Sequence, residues 1–449
     1  MLDYYRCPDG ILDFEVNSDR SGPAGFFQFG SGATCYGRSS AGVATSPEGQ
    51  LTDALPSASA SNGRVQLPFD PDEVIENLRL ERYAETGWSV YDQVLKNIYY
   101  SVRPLTTRSF RSYIQKFRAS DWQQATFPRW PVDTSVENIF EQLLTLTLRA
   151  KDVEHIPFVW FWPNRASGCV LMTHDVEDEE GRDHCLEVLD LDDSFGVKAS
   201  VQIVPEDRYE VSAEFLSEIR SRGHEICVQD LNHDGRLFDD HDEFRRRATL
   251  INRYAKEYGA RGFRAAVLYR RPDWFEDLAF SFDMSVPNVA RLDPQHGGCC
   301  TVMPYFIGDL LEIPVTTIQD YTLFNLLDER SIELWKTQVD LILAKHGMAS
   351  FIVHPDYITE PDTHAVYRNL LQWLKQERAT RNLWFALPRE IDTWWRARQK
   401  MNVVKRGDSW RVEGDGSERA TLAFAQLEDG KLVYRLAGAN HATMSATIS

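Results

Sequence analysis

Cys169-Val170-Leu171-Met172-Thr173-His174-Asp175-Val176-Glu177-Asp178 is an apolar run that ends abruptly in polar and acidic residues around a single valine. A continuous run, not an alternating one, suits a strand covered on both faces, as in a parallel sheet. The acids then stand at the strand's carboxyl end, the edge where barrels and open α/β sheets build their sites. On extended backbone Asp175 and Glu177 project to one side, while Asp178 points away unless the chain has already turned.

Working outward from this run, apolar segments alternate with amphipathic helical stretches from about 165 to 395, the pattern of a repeated β/α unit. Candidate strands are Cys169–Thr173, Val197–Val204, Glu225–Val228, Gly262–Arg264, Leu310–Val315, Ser350–His354 and Leu383–Leu387. Between them, the segment Asp240–Tyr258 carries Phe244, Ala248, Ile251 and Ala255 on one face and stops at Gly259, as a C-terminal glycine should. The expected fold class is α/β, a barrel or an open doubly wound sheet.

The flanks have a different texture. Residues 1–64 read as a small β-rich module followed by a Ser/Ala/Gly-rich linker or long loop from Ser39 to Gly63. Residues 65–160 read as helical. Asp70-Pro71 starts one helix, and a capping-box pattern at Thr134 and Glu137 starts another, with Val136, Ile139, Phe140, Leu143 and Leu144 on its apolar face. A basic, aromatic segment from Arg103 to Arg118 lies between them and reads as a solvated helix face, with docking on an anionic lipid or glycan phosphate as the alternative. The β/α domain spans 161–398. Residues 399–449 form a short antiparallel module and tail, with turns at Asp415-Gly416 and Asp429-Gly430.

A net charge of −18 argues against a nucleic-acid partner, because phosphates would be repelled by the average surface. No apolar run approaches the roughly 20 residues of a membrane helix. The seven cysteines are scattered and lack a CxxC pair, and the first residues show neither a basic start nor an apolar signal core. Reduced thiols and a cytoplasmic location are the expectation.

Several strand ends finish in residues of one chemical kind. The first gives Asp175 and Glu177; the third is followed by Gln229-Asp230-Leu231-Asn232-His233; the fourth ends at Arg264 and the sixth at His354. A carboxylate base, oxygen and imidazole donors, a guanidinium and a second imidazole make a hydrolytic metal site. His233 has a turn-residue alternative, and His174 and His224 read as structural.

In order along the chain, these segments resemble the motifs of the NodB-type polysaccharide deacetylases, carbohydrate esterase family four. Thr173-His174-Asp175-Val176-Glu177 is similar to the first motif, Gly223-His224-Glu225-Ile226-Cys227-Val228-Gln229-Asp230-Leu231-Asn232-His233 to the second, Gly262-Phe263-Arg264 to the third and Phe351-Ile352-Val353-His354 to the last. The resemblance implies an irregular (β/α) barrel and a metal-dependent hydrolase that removes acetyl groups from an N-acetylated sugar or glycan precursor. It implies Asp175 as general base, His354 as acid, Arg264 as the group orienting Asp175, and Glu177, His233 and Gln229 around a divalent metal, zinc by preference. Gln229 stands where the family has a histidine, Glu177 where it has an aspartate, and Ala266 where it has a proline. The alternatives are a deacetylase fold that binds a glycan or protein without turnover, and a hydrolase of a non-sugar amide.

Overall fold

The computed structural model describes residues 2–17, 22–61, 63–84, 124–407 and 409–438. The basic segment from Arg103 to Arg118 lies outside the described residues. The chain forms two compact units. One comprises Ala84–Asp133 and Cys169–Asp392, and the other Met1–Tyr83, Thr134–Gly168 and Thr393–Ser449.

The unit that contains Cys169–Asp392 is built on a curled sheet. Its strands are β1 (Cys169–Val176), β2 (Ala199–Ile203), β3 (Glu225–Gln229), β4 (Gly262–Arg264), β5 (Phe282–Asp283), β6 (Tyr305–Ile307), β7 (Leu310–Glu312), β8 (Met348–Val353) and β9 (Trp384–Phe385). The order in space is β6-β7-β5-β4-β3-β2-β1-β8, with β9 beside the start of β1. Neighbours run parallel except β6 and β7. Parallel neighbours need crossovers, and helices supply them. These are α1 (Glu179–Phe195), α2 (Ala213–Ser221), α3 (His241–Tyr258), α4 (Glu333–Leu343) and α5 (Pro361–Arg381). Asp240 caps α3 by accepting from Glu243 N at 2.9 Å, and Gly259 ends it in the left-handed conformation, as the sequence predicted.

All eight residues of β1 are buried, which accounts for its unbroken apolar start. Val170, Met172 and Val176 join Val201, Ile203 and the helices in the outer core. The register pairs Thr173 with Ser200, Asp175 with Gln202, and Gln229 with Arg264, so these polar residues share the concave face. Gly262 lies on the same face, where a methyl group would collide with the Phe282 ring and Cys227 Sγ.

Past β7 the chain bridges Pro287 through Val315, and Thr317 N then donates to Ser350 O of β8 at 3.3 Å. Thr316 Oγ1 donates to Met348 O at 2.6 Å and accepts from Ser350 N at 2.9 Å. Two threonines thus join the ends of the curl where a full ladder would close a regular barrel. The result is the irregular α/β half-barrel expected of this class, flanked by small N- and C-terminal sheets.

In the other unit Phe14–Val16, Arg64–Leu67 and Ser59–Ser61 form one sheet and Gly25–Gln28 pairs with Thr34–Gly37. Of the expected linker, Ser39 to Ala58 is mostly loop, tied to the Gly25–Gln28 strand with Ala44 N donating to Phe26 O at 2.8 Å and Ala54 N to Gln28 O at 2.8 Å, whereas Ser59–Ser61 is a strand. The helix Pro71–Arg79 starts as predicted, with Asp70 accepting from Asp72 N at 3.1 Å. The helix Ser135–Lys151 forms, but its capping box does not. Thr134 has φ −123° and ψ 27°, not the extended backbone a cap needs, and its Oγ1 accepts from Asn138 Nδ2 at 3.2 Å. Leu422–Glu428 lies between Lys431–Leu436 and His155–Val159, whereas Ser409–Glu413 pairs with Asn402–Arg406. Buried Arg398 donates to Tyr4 O at 2.7 Å and to Val159 O at 2.7 Å.

Candidate active site

Asp175, near the carboxyl end of β1, is almost wholly buried, and Arg264 at the end of β4 balances its charge. The Arg264 Nη1 donates to Asp175 Oδ1 and, at 2.8 Å, to Thr173 Oγ1, while its Nε donates to Met284 O at 3.1 Å. A guanidinium with several fixed acceptors has little freedom, so it sets the orientation of the carboxylate. On the other side Gln229, closing β3, donates Nε2 to Asp175 Oδ2 at 3.1 Å and to Glu177 Oε1 at 3.3 Å.

Glu177 follows β1 directly and meets two imidazoles. His233 Nε2 lies 2.8 Å from Glu177 Oε1, and His354 Nε2 lies 3.5 Å from the same oxygen. His233 reaches it from a loop in which Asp230, His233 and Gly235 all have positive φ. Histidine is tolerated in that left-handed conformation better than a branched residue, and the turn carries its ring to the Glu177 carboxylate. Burial alone would raise the Glu177 carboxyl, but His233 first and then His354 overcome it and hold the group well below the usual carboxylate range.

His354 follows β8. Its Nδ1 is 2.7 Å from Asp320 Oδ1, and its backbone N donates to Asp320 Oδ2 at 2.7 Å. Burial would lower this imidazole, yet the Asp320 carboxylate, helped by Glu177, lifts it well above the ordinary histidine value. Tyr357 packs its ring 4.8 Å from that of His354. Asp356 beside it is buried, and burial pushes its carboxyl up to about 7 despite the opposing charge of His354.

The fold therefore gathers Asp175, Glu177, Gln229, His233, Arg264 and His354 at one edge. Asp178 is engaged elsewhere: it caps α1 by accepting from Gly181 N at 2.9 Å. His224 is structural, with Nδ1 accepting from Ala199 N at 3.0 Å at the opposite end of the strands. Sequence reading missed Asp320 and Asp356. Asp320 sits outside any strand and 34 residues before its partner, so neither periodicity nor a strand-end pattern signals it.

Donor atoms of Asp175, Glu177 and His354 lie within 4.8 Å of one another, a spacing that suits a divalent metal. Two observations bear on the fit. His233 Nδ1 and Gln229 Oε1 are buried without a hydrogen-bond partner, and carboxylates with imidazole form a donor set that a borderline or hard cation accepts. Gln229 offers only an amide, and in the orientation seen its nitrogen, not its oxygen, faces the acids. Asp175, Glu177 and His354 have the spacing a cation needs, His233 adjoins them through Glu177, and Gln229 contributes least.

Fold and site together define an α/β protein with a curled, mostly parallel sheet and an acid–imidazole cluster at its carboxyl edge. No protein-family model and no curated protein matches the chain. Structural matches to NodB-type polysaccharide deacetylases of carbohydrate esterase family four cover the central half of the chain. A polysaccharide deacetylase structure from Mycobacterium smegmatis is 20% identical, with a TM-score of 0.44, covering 55% of this chain and 97% of that one. A family 4 acetyl xylan esterase from Clostridium thermocellum, in complex with a cobalt ion, is 18% identical, with a TM-score of 0.34, covering 50% and 91%. A peptidoglycan deacetylase from Bacillus subtilis is 10% identical, with a TM-score of 0.34, covering 53% and 95%.

Proposed function

We propose that the chain hydrolyses an acyl amide, with the N-acetyl group of an amino sugar or glycan precursor as substrate. One observation carries the reading: a buried carboxylate gripped by a guanidinium shares an edge with a buried imidazole whose Nδ1 is held by a buried carboxylate. Amide hydrolysis needs such a pair, because water must lose a proton as it attacks and an amine leaves poorly unless it gains one.

In this reading Asp175 takes the proton from the attacking water, and Arg264 keeps its Oδ1 fixed while Oδ2 faces Gln229. His354 delivers a proton from Nε2 to the departing amine, while Asp320 holds its Nδ1 and so its ring orientation. Glu177 and His233 would hold a divalent cation, zinc by preference, with Asp175 and His354 beside it. Such an ion supplies Lewis-acid polarisation of the acyl carbonyl when bound. Tyr357 packs on the His354 ring and limits its rotation.

A second reading rests on Gln229. Its Nε2 bridges Asp175 and Glu177, linking the two acids without a cation, as a protein that binds a glycan without turnover would tolerate. Acetate release from acetylated amino sugars with added zinc, cobalt or manganese separates the readings. Turnover that depends on metal and falls by roughly 10²–10⁴ in Asp175→Asn supports the hydrolase. Glycan binding with no metal and no acetate release supports the binding protein. Release from non-sugar amides alone keeps the chemistry and changes the substrate.

A further inference from the structure

Behind the site, on the outer face of the sheet, three fully buried polar side chains form a chain. His174 Nε2 lies 2.7 Å from Asp192 Oδ2, and Tyr367 OH donates to Asp192 Oδ1 at 2.5 Å. The other ring nitrogen, Nδ1, is 3.1 Å from Val353 O. A carbonyl oxygen only accepts, so Nδ1 carries the proton of that bond. The three residues come from β1, α1 and α5 and show no exposed surface.

The acceptor is what gives this chain a role. Val353 O and His354 N belong to one peptide unit, and that N–H donates to Asp320 Oδ2 at 2.7 Å. The peptide unit that carries His354 is therefore held at both ends by side chains: imidazole on the oxygen, carboxylate on the hydrogen. The register supports the same clamp, since Val353 lies opposite His174 in the parallel ladder. Asp192 and Tyr367 in turn fix the imidazole from two different helices. A buried polar network is high-stakes, and one that is fully satisfied fixes a unique geometry.

From this geometry we infer that His174, Asp192 and Tyr367 are positioning residues for His354, acting through the Val353–His354 peptide unit. The inference rests on the hydrolase reading for its kinetic consequence, but its structural consequence stands alone. Loss of the clamp lets the peptide plane rotate, and His354 Nε2 leaves its present place 3.5 Å from Glu177 Oε1. A displacement of about 1 Å is worth roughly a hundredfold in rate at a reacting centre.

The test uses the full chain. Because His174→Phe alone leaves the buried Asp192 carboxylate with only the Tyr367 hydroxyl of this chain to support it, the main variant is His174→Phe with Asp192→Leu, an apolar pair that keeps the core filled. His174→Gln, which retains a donor toward Val353 O, serves as the conservative rescue. The expected result is a folded double variant whose crystal structure shows the Val353–His354 peptide turned and His354 moved away from Glu177. On an acetylated substrate its kcat falls about a hundredfold with KM within about twofold, and His174→Gln recovers most of the loss. A folded double variant with His354 in place and wild-type kcat overturns the inference. If the wild type shows no hydrolysis at all, the proposed activity fails, and the crystallographic position of His354 still decides this point.

Discussion

Replacing Arg264 with methionine removes a charge and keeps the length, and it is expected to be the most destabilising single change at the site. Arg264 shows no exposed surface, and its partner Asp175 is also buried. The substitution removes the bond to Asp175 and those to Thr173 Oγ1 and Met284 O. Its main cost is the carboxylate left behind, which keeps the Gln229 amide at 3.1 Å but no cation. Breaking a buried pair by removing one partner costs about 3–5 kcal/mol. For a unit of this size that corresponds to a fall in Tm of roughly 6–10 °C. Urea and thermal unfolding followed by circular dichroism would measure it. In the double variant Arg264→Met with Asp175→Asn the uncompensated charge is gone, so part of the loss should return as a coupling of about 0.5–3 kcal/mol. A single variant within about 1 kcal/mol of wild type, or a strictly additive double variant, refutes the idea that Arg264 acts chiefly by balancing Asp175.

Gln229→His supplies an imidazole where an amide now bridges the acids, and zinc affinity measured by calorimetry should tighten about 10–100-fold; an unchanged affinity removes position 229 from the cation site. Burial pushes the Glu225 carboxyl up to about 7, with Arg389 opposing. Its folded pKa thus exceeds the unfolded one, so its contribution is complete below about pH 4.5 and is lost as pH rises through about 7, roughly 3 kcal/mol in all. Glu225→Gln should flatten that decline in urea titrations at pH 5 and pH 8; an unaltered slope refutes it. Gly262→Ala forces a methyl against Phe282 and Cys227 and should cost about 1–3 kcal/mol by the same assay, and a neutral result would mean the concave face has room to give.

Much of the architecture was legible because it depends on long-lived patterns. The unbroken run at Cys169 marks a strand buried on both faces, and the apolar face from Phe244 with the Gly259 stop marks α3 within a residue. The strands at Phe282–Asp283 and Tyr305–Ile307 escaped notice because two or three residues carry no period. The candidate residues at strand ends were visible as a set, since β/α order alone brings Asp175, Arg264 and His354 to one edge. That Asp178 serves as a helix cap was not, because it turns on which acid the first turn of α1 uses. Asp320 and Asp192 stayed hidden for a related reason. An acid in a loop or on a helix reads as solvated, and only tertiary packing shows that each holds a histidine.

The unit made of Met1–Tyr83, Thr134–Gly168 and Thr393–Ser449 sets a timetable for the chain as it is made. Its His155–Val159 strand waits for Leu422–Glu428, and the carbonyl of Tyr4 waits for Arg398, 394 residues later. The strands from Cys169 to Val353 are all synthesised in between, so the curled sheet can form first. Domains fold as units in order of synthesis, and late partners leave apolar surface exposed meanwhile. Phe158, Phe161 and Phe140, all buried at the end, are on that waiting list. Premature termination before Arg398 would therefore leave the curled sheet complete and its sister unit without the strands that close it.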